Sequence, residues 1–168
     1  KSKKCNESHT VMTNIVLPNE TNSLDNMFGG ELLARMDRAA AIAASRHSES
    51  TVVTASVNHV SFKHPIPKGG VVVVEAKISR AFSTSMEIYC DVWLDDPITK
   101  EKIHTNEGIY TFVAVDKNNK PVPVPESEPE TNLEKERFNA ALRRKELSLI
   151  LSGRMTPKES VELKKLFV

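Results

Sequence analysis

The sequence lacks the features that assign a chain to a class at first sight. It has two cysteines, Cys5 and Cys90, no Cys-x-x-Cys pair, and no histidine at metal-ligand spacing from them. A disulfide framework and a structural zinc site are therefore not expected. No apolar run approaches the roughly 20 residues of a membrane helix, and no apolar signal segment stands near the N-terminus. We expect a cytoplasmic protein with free thiols and no membrane insertion.

An excess of charge of one sign is lacking as well. Lysine and arginine number 23, aspartate and glutamate 22, and the net charge is +1. This balance, together with the absence of a helix-turn-helix pattern, argues against a nucleic-acid partner. The chain has no Gly-x-Ser-x-Gly elbow, no His-Glu-x-x-His motif, no P-loop and no Gly-x-Gly-x-x-Gly after a strand. We therefore expect neither a metal site nor a bound nucleotide cofactor.

The sequence does contain one helical pattern among several strand patterns. Residues 10–17 are β-branched and apolar, which predicts a strand. Residues 29–47 carry apolar side chains at helical spacing, and the five alanines within 39–44 make this helix thin enough to lie close to a sheet. Between 51 and 115 nearly every segment is strand-like, and apolar and polar residues alternate over 86–94. A strand, one helix and four consecutive antiparallel strands predict an α+β fold.

The organisation of the chain ends predicts three parts. We expect a flexible N-terminal tail over 1–9, a main domain over 10–125, and a proline-containing linker with a helical extension over 126–168. Capping boxes that begin at Thr131 and Thr156 predict two helices in this extension. Packing on the same subunit or its dimer mate is the favoured interpretation of the extension, and a partner-binding role is the alternative. Since one helix cannot cover both faces of a large sheet, the uncovered face or edges should pair with another copy.

Three features near the predicted helix could take part in chemistry. Asp37 borders the apolar stripe of the helix, where a carboxylate is costly unless it is paired or lies in a site. Gly29 and Gly30 open the helix, so its first N–H groups are accessible to a ligand oxygen and could form an oxyanion hole. Asn22 lies in the loop before them. Taken singly, each feature also fits a surface carboxylate, a plain helix start or an ordinary loop residue.

Together these residues resemble a known family. The stretches Pro18–Asn22, Met27–Gly30 and Met36-Asp37 followed by Ala40 are similar to those of hotdog-fold acyl-CoA thioesterases. The resemblance extends to Val52–Val57 followed by Phe62-x-x-Pro65, to Thr84–Glu87 and to Phe112–Asp116, and so covers roughly residues 10–125.

The resemblance implies a hotdog fold, in which an antiparallel sheet of about five strands wraps a long helix. It further implies that subunits pair into dimers, often as a hexamer of three dimers, with the active site between two subunits. The family's asparagine and aspartate fall on Asn22 and Asp37, and its glycines on Gly29 and Gly30. Phe28 stands where many relatives have histidine, and Ser83 where a basic residue is common, which leaves the contacts to the phosphates of coenzyme A open.

The implied substrate is a fatty acyl-CoA, with coenzyme A present only as part of substrate and product. A thioester carbonyl is already electrophilic, and a thiol with a pKa near roughly 8.5 leaves without a strong acid. Asp37 would act as general base on a water or attack directly to give a mixed anhydride, and the residues leave both roles open. The N–H groups at Gly29 or Gly30 would hold the carbonyl oxygen, while Asn22 of the partner subunit orients the water or the thioester.

Other residues have weaker claims to a role. Thr84 and Ser85 could line the path of the pantetheine arm, or form an ordinary turn. Four basic residues could contact the phosphates of coenzyme A or simply lie at a solvated edge of the sheet. They are Lys63, His64, Lys68 and Arg80. We expect structural roles for His59 and His104, a core position for Cys90, and either a subunit contact or simple exposure for Trp93.

The prediction from the sequence is thus a homo-oligomeric hotdog thioesterase that hydrolyses fatty acyl-CoA to free acid and coenzyme A. One alternative is a non-catalytic hotdog module that binds acyl-CoA. Another is a hotdog hydratase or dehydratase, but such enzymes rely on a histidine with an acidic partner. Only His47 lies on the helix, at its far end from the glycines.

Overall fold

The computed structural model describes residues 1–167 and consists of a curved antiparallel sheet wrapped around one long helix. In chain order the elements are β1 (Ser2–Lys4), β2 (Thr10–Ile15), α1 (Gly29–Ser48), β3 (Thr51–Phe62), β4 (Val71–Ala81), β5 (Ser85–Asp95), β6 (Lys102–Val115), β7 (Glu126–Glu128) and α2 (Asn132–Leu151). The main sheet has five antiparallel strands in the order β2-β4-β5-β6-β3, and β1 pairs with β7 in a separate parallel ribbon. No helix within residues 1–167 is long and apolar enough to cross a membrane. The α+β class predicted from the sequence is confirmed.

The core lies between α1 and the concave face of the sheet. On α1, Leu32 and Met36 are at most 2% exposed, and the alanines on the same face are fully buried. Small side chains let the helix backbone approach the sheet closely, and each large side chain buried there contributes roughly 1.5–3 kcal/mol. In β5 the predicted alternation is confirmed, since Met86 and Cys90 are fully buried. Tyr110 of β6 ties the two layers together by donating to the carbonyl oxygen of Leu33 at 3.0 Å.

Strand β3 forms an open edge of the main sheet. It is 12 residues long, and within residues 1–167 it pairs with β6 alone. Val53 and Val57 are each 42% exposed, and Phe62 is 55% exposed. An edge strand of this length with exposed apolar side chains is a template for pairing with another chain. The edge therefore has the character that the sequence predicts for contact with a second copy.

The N-terminal residues are not the flexible tail expected over 1–9. Strand β1 pairs in parallel with β7, and the short 3₁₀ turn that follows buries Cys5 and Ser8 at 1% and 0% exposure. The Ser8 hydroxyl accepts the N–H of Ile78 at 2.9 Å. The expectation of a flexible tail is wrong because Cys5 fills an apolar gap beside the core and Ser8 completes a backbone hydrogen bond of β4.

Helix α2 packs on the convex face of the same subunit, as favoured from the sequence. The guanidinium of Arg144 donates to both carboxylate oxygens of Glu87, at 2.7 and 2.8 Å, and Lys77 forms an ion pair with Glu134 at 2.9 Å. The predicted capping box at Thr131 is present at the start of this helix. These charged contacts hold α2 across β4 and β5 and leave one side of the sheet's convex face uncovered.

The second helix predicted from Thr156 is absent. The capping box forms, but it leads only into short 3₁₀ turns at Pro157–Glu159 and Leu163–Phe167. Glu146 of α2, which is 3% exposed, accepts the backbone N–H groups of three consecutive residues, Val161, Glu162 and Leu163. These three N–H groups are bonded to the carboxylate of Glu146 and not to carbonyl oxygens of a preceding helical turn. The segment therefore does not continue as a helix.

Replacing Glu146 by alanine should release the C-terminal segment without unfolding the main domain. Backbone hydrogen bonds lower the pKa of Glu146 against the effect of burial, so the carboxylate is ionised and binds all three N–H groups. We expect the local stability of residues 161–163 to fall by about 1–3 kcal/mol. Hydrogen exchange of their amides should then be correspondingly faster. Glu136→Ala, on the exposed side of the same helix, is the control, and equal protection in both variants would contradict the assignment.

The loop over 18–28, which leads into α1, is held by a buried ion pair. Arg35 of α1 donates to both carboxylate oxygens of Glu20 at 2.7 and 2.9 Å, and their side chains are only 8% and 17% exposed. Glu20 also accepts the N–H of Leu17 at 2.9 Å, and its carbonyl oxygen accepts the N–H of Phe28. The ion pair therefore sets the position of the whole loop relative to the helix.

Stability should fall in acid because of this ion pair. The N–H of Leu17 and then the guanidinium of Arg35 lower the pKa of Glu20 in the folded state. The pair thus stabilises fully above the ordinary glutamate pKa of about 4.3, and this contribution is lost as pH falls through the lower folded-state value. Glu20→Gln should cost about 1–3 kcal/mol in the free energy of unfolding at pH 7 and weaken its dependence on acid pH. Denaturant titrations at several pH values, with exposed Glu31→Gln as control, test this, and unchanged stability of Glu20→Gln would refute it.

Candidate active site

Two of the predicted site residues meet in a cavity at the start of α1. The cavity has a volume of about 300 Å³, and Asn22 and Gly29 both line it. Apolar residues of the loop and helix and the segment that follows β3 form the rest of its wall. The wall also includes Asn106 of β6, which sequence reasoning did not single out. A half-open cavity lined by apolar residues and a few polar groups has the character of a ligand site.

The side chain of Asn22 organises its own loop. Its Oδ1 accepts the N–H groups of Leu24 at 2.9 Å and Asn26 at 3.2 Å, and its backbone N–H donates to the Asn26 carbonyl oxygen at 2.8 Å. Because the oxygen is used within the loop, the Nδ2 group is the end of the carboxamide left to serve a ligand. Asn22 is therefore placed as a donor rather than as an acceptor.

The start of α1 presents further donors. The first N–H groups that bond back to the Phe28 carbonyl are those of Glu31 and Leu32, so the N–H groups of Gly29 and Gly30 have no acceptor among residues 1–167. A Cβ at Gly29 would lie 3.3 Å from the Phe62 ring, whereas one at Gly30 would meet nothing within 4 Å. Phe28 precedes the helix and is 51% exposed. Unpaired N–H groups at the positive end of a helix dipole suit a developing oxyanion.

Asp37 is half-buried on α1 and held by a residue of β3. The hydroxyl of Thr54 donates to Asp37 Oδ1 at 2.9 Å. Thr54 pairs with Phe112, whose side chain lies in the core, so the threonine faces the helix. Sequence reasoning missed Thr54 as a site residue. The sequence offered only a weak signal, because Thr54 is one of several hydroxyl residues in a strand rich in valine.

Asp37 and the donor groups do not converge within one subunit. Asp37 follows Gly29 by eight residues on the same helix, which corresponds to about 12 Å along its axis. A reacting carbon has to lie within about 3–3.5 Å of both the attacking group and the oxyanion donors. The structure thus brings Asn22 together with Gly29, and Asp37 together with Thr54, as two half-sites.

Thr84 and Ser85 lie far from the half-site of Asn22 and Gly29. Ser85 is two strands away from Val53, beside Thr54, through Val113 of β6. Thr84 precedes β5 and Ser85 begins it, whereas the loop of Asn22 bridges to Pro67, just before the other end of β4. Since β4 has 11 residues, its two ends are about 33 Å apart. Ser85 lines a different and larger cavity, of about 600 Å³, between α2 and the convex face of the sheet. Within one subunit these residues take the position of an ordinary turn.

The four basic candidates divide into two groups. Lys63 and His64 line the cavity at the start of α1, and Lys68 forms a 3.6 Å ion pair with Asp25 of the neighbouring loop. Arg80 instead lies 3.9 Å above the ring of Phe138 in α2 and donates to its carbonyl oxygen. Within one subunit the guanidinium of Arg80 thus packs on α2, and a contact between Arg80 and the phosphates stays a prediction.

Asp91, His104 and Glu107 form the group whose geometry could hold a metal ion, with ligand atoms within 4.8 Å of one another. Their oxygens already have protein partners. Arg137 contacts Asp91 at 2.9 Å, and the Tyr89 hydroxyl donates to Glu107 at 2.7 Å. Burial and this contact with Glu107 raise the pKa of Tyr89 to about 12. The group is a network of charges that fastens α2 to the sheet, and it offers no open ligand set.

His104 and Trp93 contact each other, whereas His59 lies apart from them. His104 bonds to Asp91 at 3.0 Å and meets the Trp93 ring edge-on at 4.9 Å, which is a structural role. His59 is exposed, has a left-handed backbone φ of 53°, and stands where the pairing of β3 with β6 is irregular. It lines the larger cavity under α2, so its side chain is not part of the core.

Comparison with known proteins agrees with this geometry. Residues 24–101 match the profile of the thioesterase superfamily. The uncharacterized acyl-CoA thioester hydrolase YkhA of Bacillus subtilis is 39% identical over 140 residues, which cover 83% of this chain and 81% of that protein.

Solved structures agree in fold as well. A hexameric acyl-CoA thioesterase has a TM-score of 0.85 and 41% identity, over 88% of this chain and 94% of that chain. The acyl-CoA hydrolase of Staphylococcus aureus, solved with butyryl-CoA, coenzyme A and coenzyme A disulfide, has a TM-score of 0.85 and 34% identity, over 92% and 96%. The chain therefore belongs to the thioesterase superfamily and is an acyl-CoA thioester hydrolase with the hotdog fold.

Proposed function

We propose that the protein hydrolyses fatty acyl-CoA at a site composed of Asp37 from one subunit and Asn22, Gly29 and Gly30 from another. The observation that carries this proposal is the contact between Thr54 and Asp37, which holds a half-buried carboxylate in one orientation. A hydrogen bond of this kind fixes the side chain without removing its second oxygen from use. That oxygen can accept a proton or attack a carbonyl carbon.

The open edge strand explains how the half-sites meet. Thr54 lies near one end of β3 with Asp37, and Phe62 lies at the other end against Gly29. If the β3 strands of two subunits pair antiparallel about a two-fold axis near Asn58, Thr54 stands opposite Phe62 of the partner subunit. Asp37 then faces the helix start of the partner. This pairing also covers the exposed valines of β3 and satisfies its unpaired backbone groups.

The positions of residues substituted in a relative support the choice of Asn22, Asp37 and Thr54. Solved variants of the Staphylococcus aureus hydrolase have alanine in place of an aspartate, a threonine and an asparagine. In that chain the asparagine and aspartate are 15 residues apart, and the aspartate and threonine 17. Asn22, Asp37 and Thr54 have the same two spacings here.

The chemistry needs few groups. A water attacks the thioester carbon while Asp37 accepts its proton, and the N–H groups of Gly29 and Gly30 bind the oxygen as it becomes negative. The carbon–sulfur bond then breaks, the thiolate leaves, and the proton returns to the sulfur or to solvent. If Asp37 attacks directly, a mixed anhydride forms with loss of thiolate, and a water hydrolyses it. Asn22 orients the water or the thioester in either course.

The proposal extends to assembly and location. A dimer is the smallest unit that completes the site, and the hexameric thioesterase of the same fold supports a trimer of dimers. The uncovered part of the convex face is available for contacts between dimers. Both cysteines are free and buried, which fits the reducing cytoplasm.

Substitution of Asp37 by asparagine should abolish most of the turnover. Loss of the proton acceptor should lower kcat by about 10²–10⁴-fold. Thr54→Val, which removes only the hydroxyl, should lower kcat about tenfold. Thiol release from acyl-CoAs of increasing chain length measures both effects. Asp95→Asn and Thr51→Val, at strand ends, are matched controls. If the wild type binds acyl-CoA but releases no thiol, the proposed thioesterase activity is contradicted, and a non-catalytic acyl-CoA-binding module is favoured.

Mixed oligomers should show that two subunits share each site. Asn22→Ala and Asp37→Asn chains are each expected to be nearly inactive, but a hybrid dimer retains one intact site. Random pairing of equal amounts makes half of the dimers hybrids, so co-expression should restore about a quarter of wild-type activity. Separately purified variants, mixed without exchange of subunits, are the control. Activity that stays at the sum of the two variants would place the whole site in one subunit.

A further inference from the structure

The cavity at the start of α1 contains one buried polar atom without a partner. Asn106 of β6 is 0% exposed, and its Nδ2 donates to the carbonyl oxygen of Ser61 at 3.1 Å. Its Oδ1 has no hydrogen-bond partner in the part of the chain that the structure describes. The reverse orientation of the carboxamide would place two oxygens together, so Ser61 determines which end of the group is left unpaired.

An unpaired buried oxygen is unfavourable for folding, and such atoms in proteins usually have a partner. Asn106 lines the same cavity as Asn22 and Gly29. A donor that enters this cavity can therefore supply the missing hydrogen bond. The cavity wall also includes Met27, which is 8% exposed, and Leu32, which is 2% exposed, so the bond would form beside apolar surface.

We propose that Asn106 is a substrate-binding residue whose Oδ1 accepts the amide N–H nearest the sulfur in the pantetheine arm. The proposal rests on the proposed hydrolysis of acyl-CoA. A thioester group has acceptors but no donor, whereas this amide lies two carbons from the sulfur and is the first donor along the arm. With the thioester oxygen on the N–H groups of Gly29 and Gly30, the amide enters the cavity that Asn106 lines.

This contact selects substrates that carry the amide N–H nearest the sulfur. A site built to bind an N–H group rejects an analogue without it, because the buried oxygen is again left unpaired. Asn106 would thus distinguish the coenzyme A arm from simple alkyl thioesters. Lys63 and His64 line the same cavity.

The test compares two substrates that differ in one group. One is an acyl-pantetheine thioester, and the other is its analogue in which an ester oxygen replaces the amide N–H nearest the sulfur. For the wild type, kcat/KM should be about tenfold higher for the amide. In Asn106→Leu this preference should fall to near one. Where turnover of either compound is too slow, inhibition constants against acyl-CoA hydrolysis provide the same ratio.

The ratio of kcat/KM for the two substrates, measured on one preparation, does not depend on which fraction of the variant is folded. Asn106→Asp keeps an acceptor oxygen and should retain the preference. If the leucine variant does not fold, Asn106→Ala, which also lacks the acceptor, replaces it and should lose the preference. Asn118→Leu, in an exposed turn, is the matched control and should behave as the wild type.

Two results would overturn the assignment of Asn106. These are equal wild-type rates on the amide and ester substrates, or a preference that persists in Asn106→Leu. Either one means that the substrate amide is not the partner of Asn106 Oδ1. Hydrolysis of acyl-CoA by the wild type, measured alongside, shows that such a result concerns Asn106 alone. Absence of that hydrolysis refutes the proposed function itself.

Discussion

The close packing of α1 against the sheet is the constraint on which the rest of the molecule depends. The alanine face brings the helix backbone near the strands, and Met36 and Tyr110 lock the two layers. Because a helix is rigid over its 20 residues, the same packing places both of its functional parts. Its first turn opens into the cavity at Gly29, and its next turns present Asp37 to β3.

The polar groups near the helix oppose that packing unless each has a partner. The carboxylate of Asp37 has the hydroxyl of Thr54, and the guanidinium of Arg35 has Glu20. Within this set, Arg35 Nη1 and Asn106 Oδ1 have no partner among the described residues, and of these two residues Asn106 lines the cavity. Polar burial without a partner is unfavourable, so its retention points to a ligand that supplies the partner.

Catalysis and assembly depend on the same strand. β3 carries Thr54 near one end and Phe62 at the other, and between them it exposes apolar side chains at an unpaired edge. A second copy that pairs with this edge removes the exposed surface and also brings the two half-sites together. A subunit alone therefore holds every proposed catalytic group but at distances too long for reaction, so the proposed function requires association.

The sequence by itself determined α1, the strands of the main sheet and the family, and it led to the proposal of Asn22 and Asp37 as site residues. Alternation with period two predicts β5, helical spacing and the alanine run predict α1, and the resemblance around Asn22 and Asp37 identifies the family. Only the tertiary structure decided which side chains meet. Thr54 reaches Asp37 across 17 residues, Asn106 reaches Ser61 across 45, and Ser2 of β1 pairs beside β7 across more than 120. Contacts of this kind leave no local pattern, because they depend on strand register and on how one helix lies across the sheet.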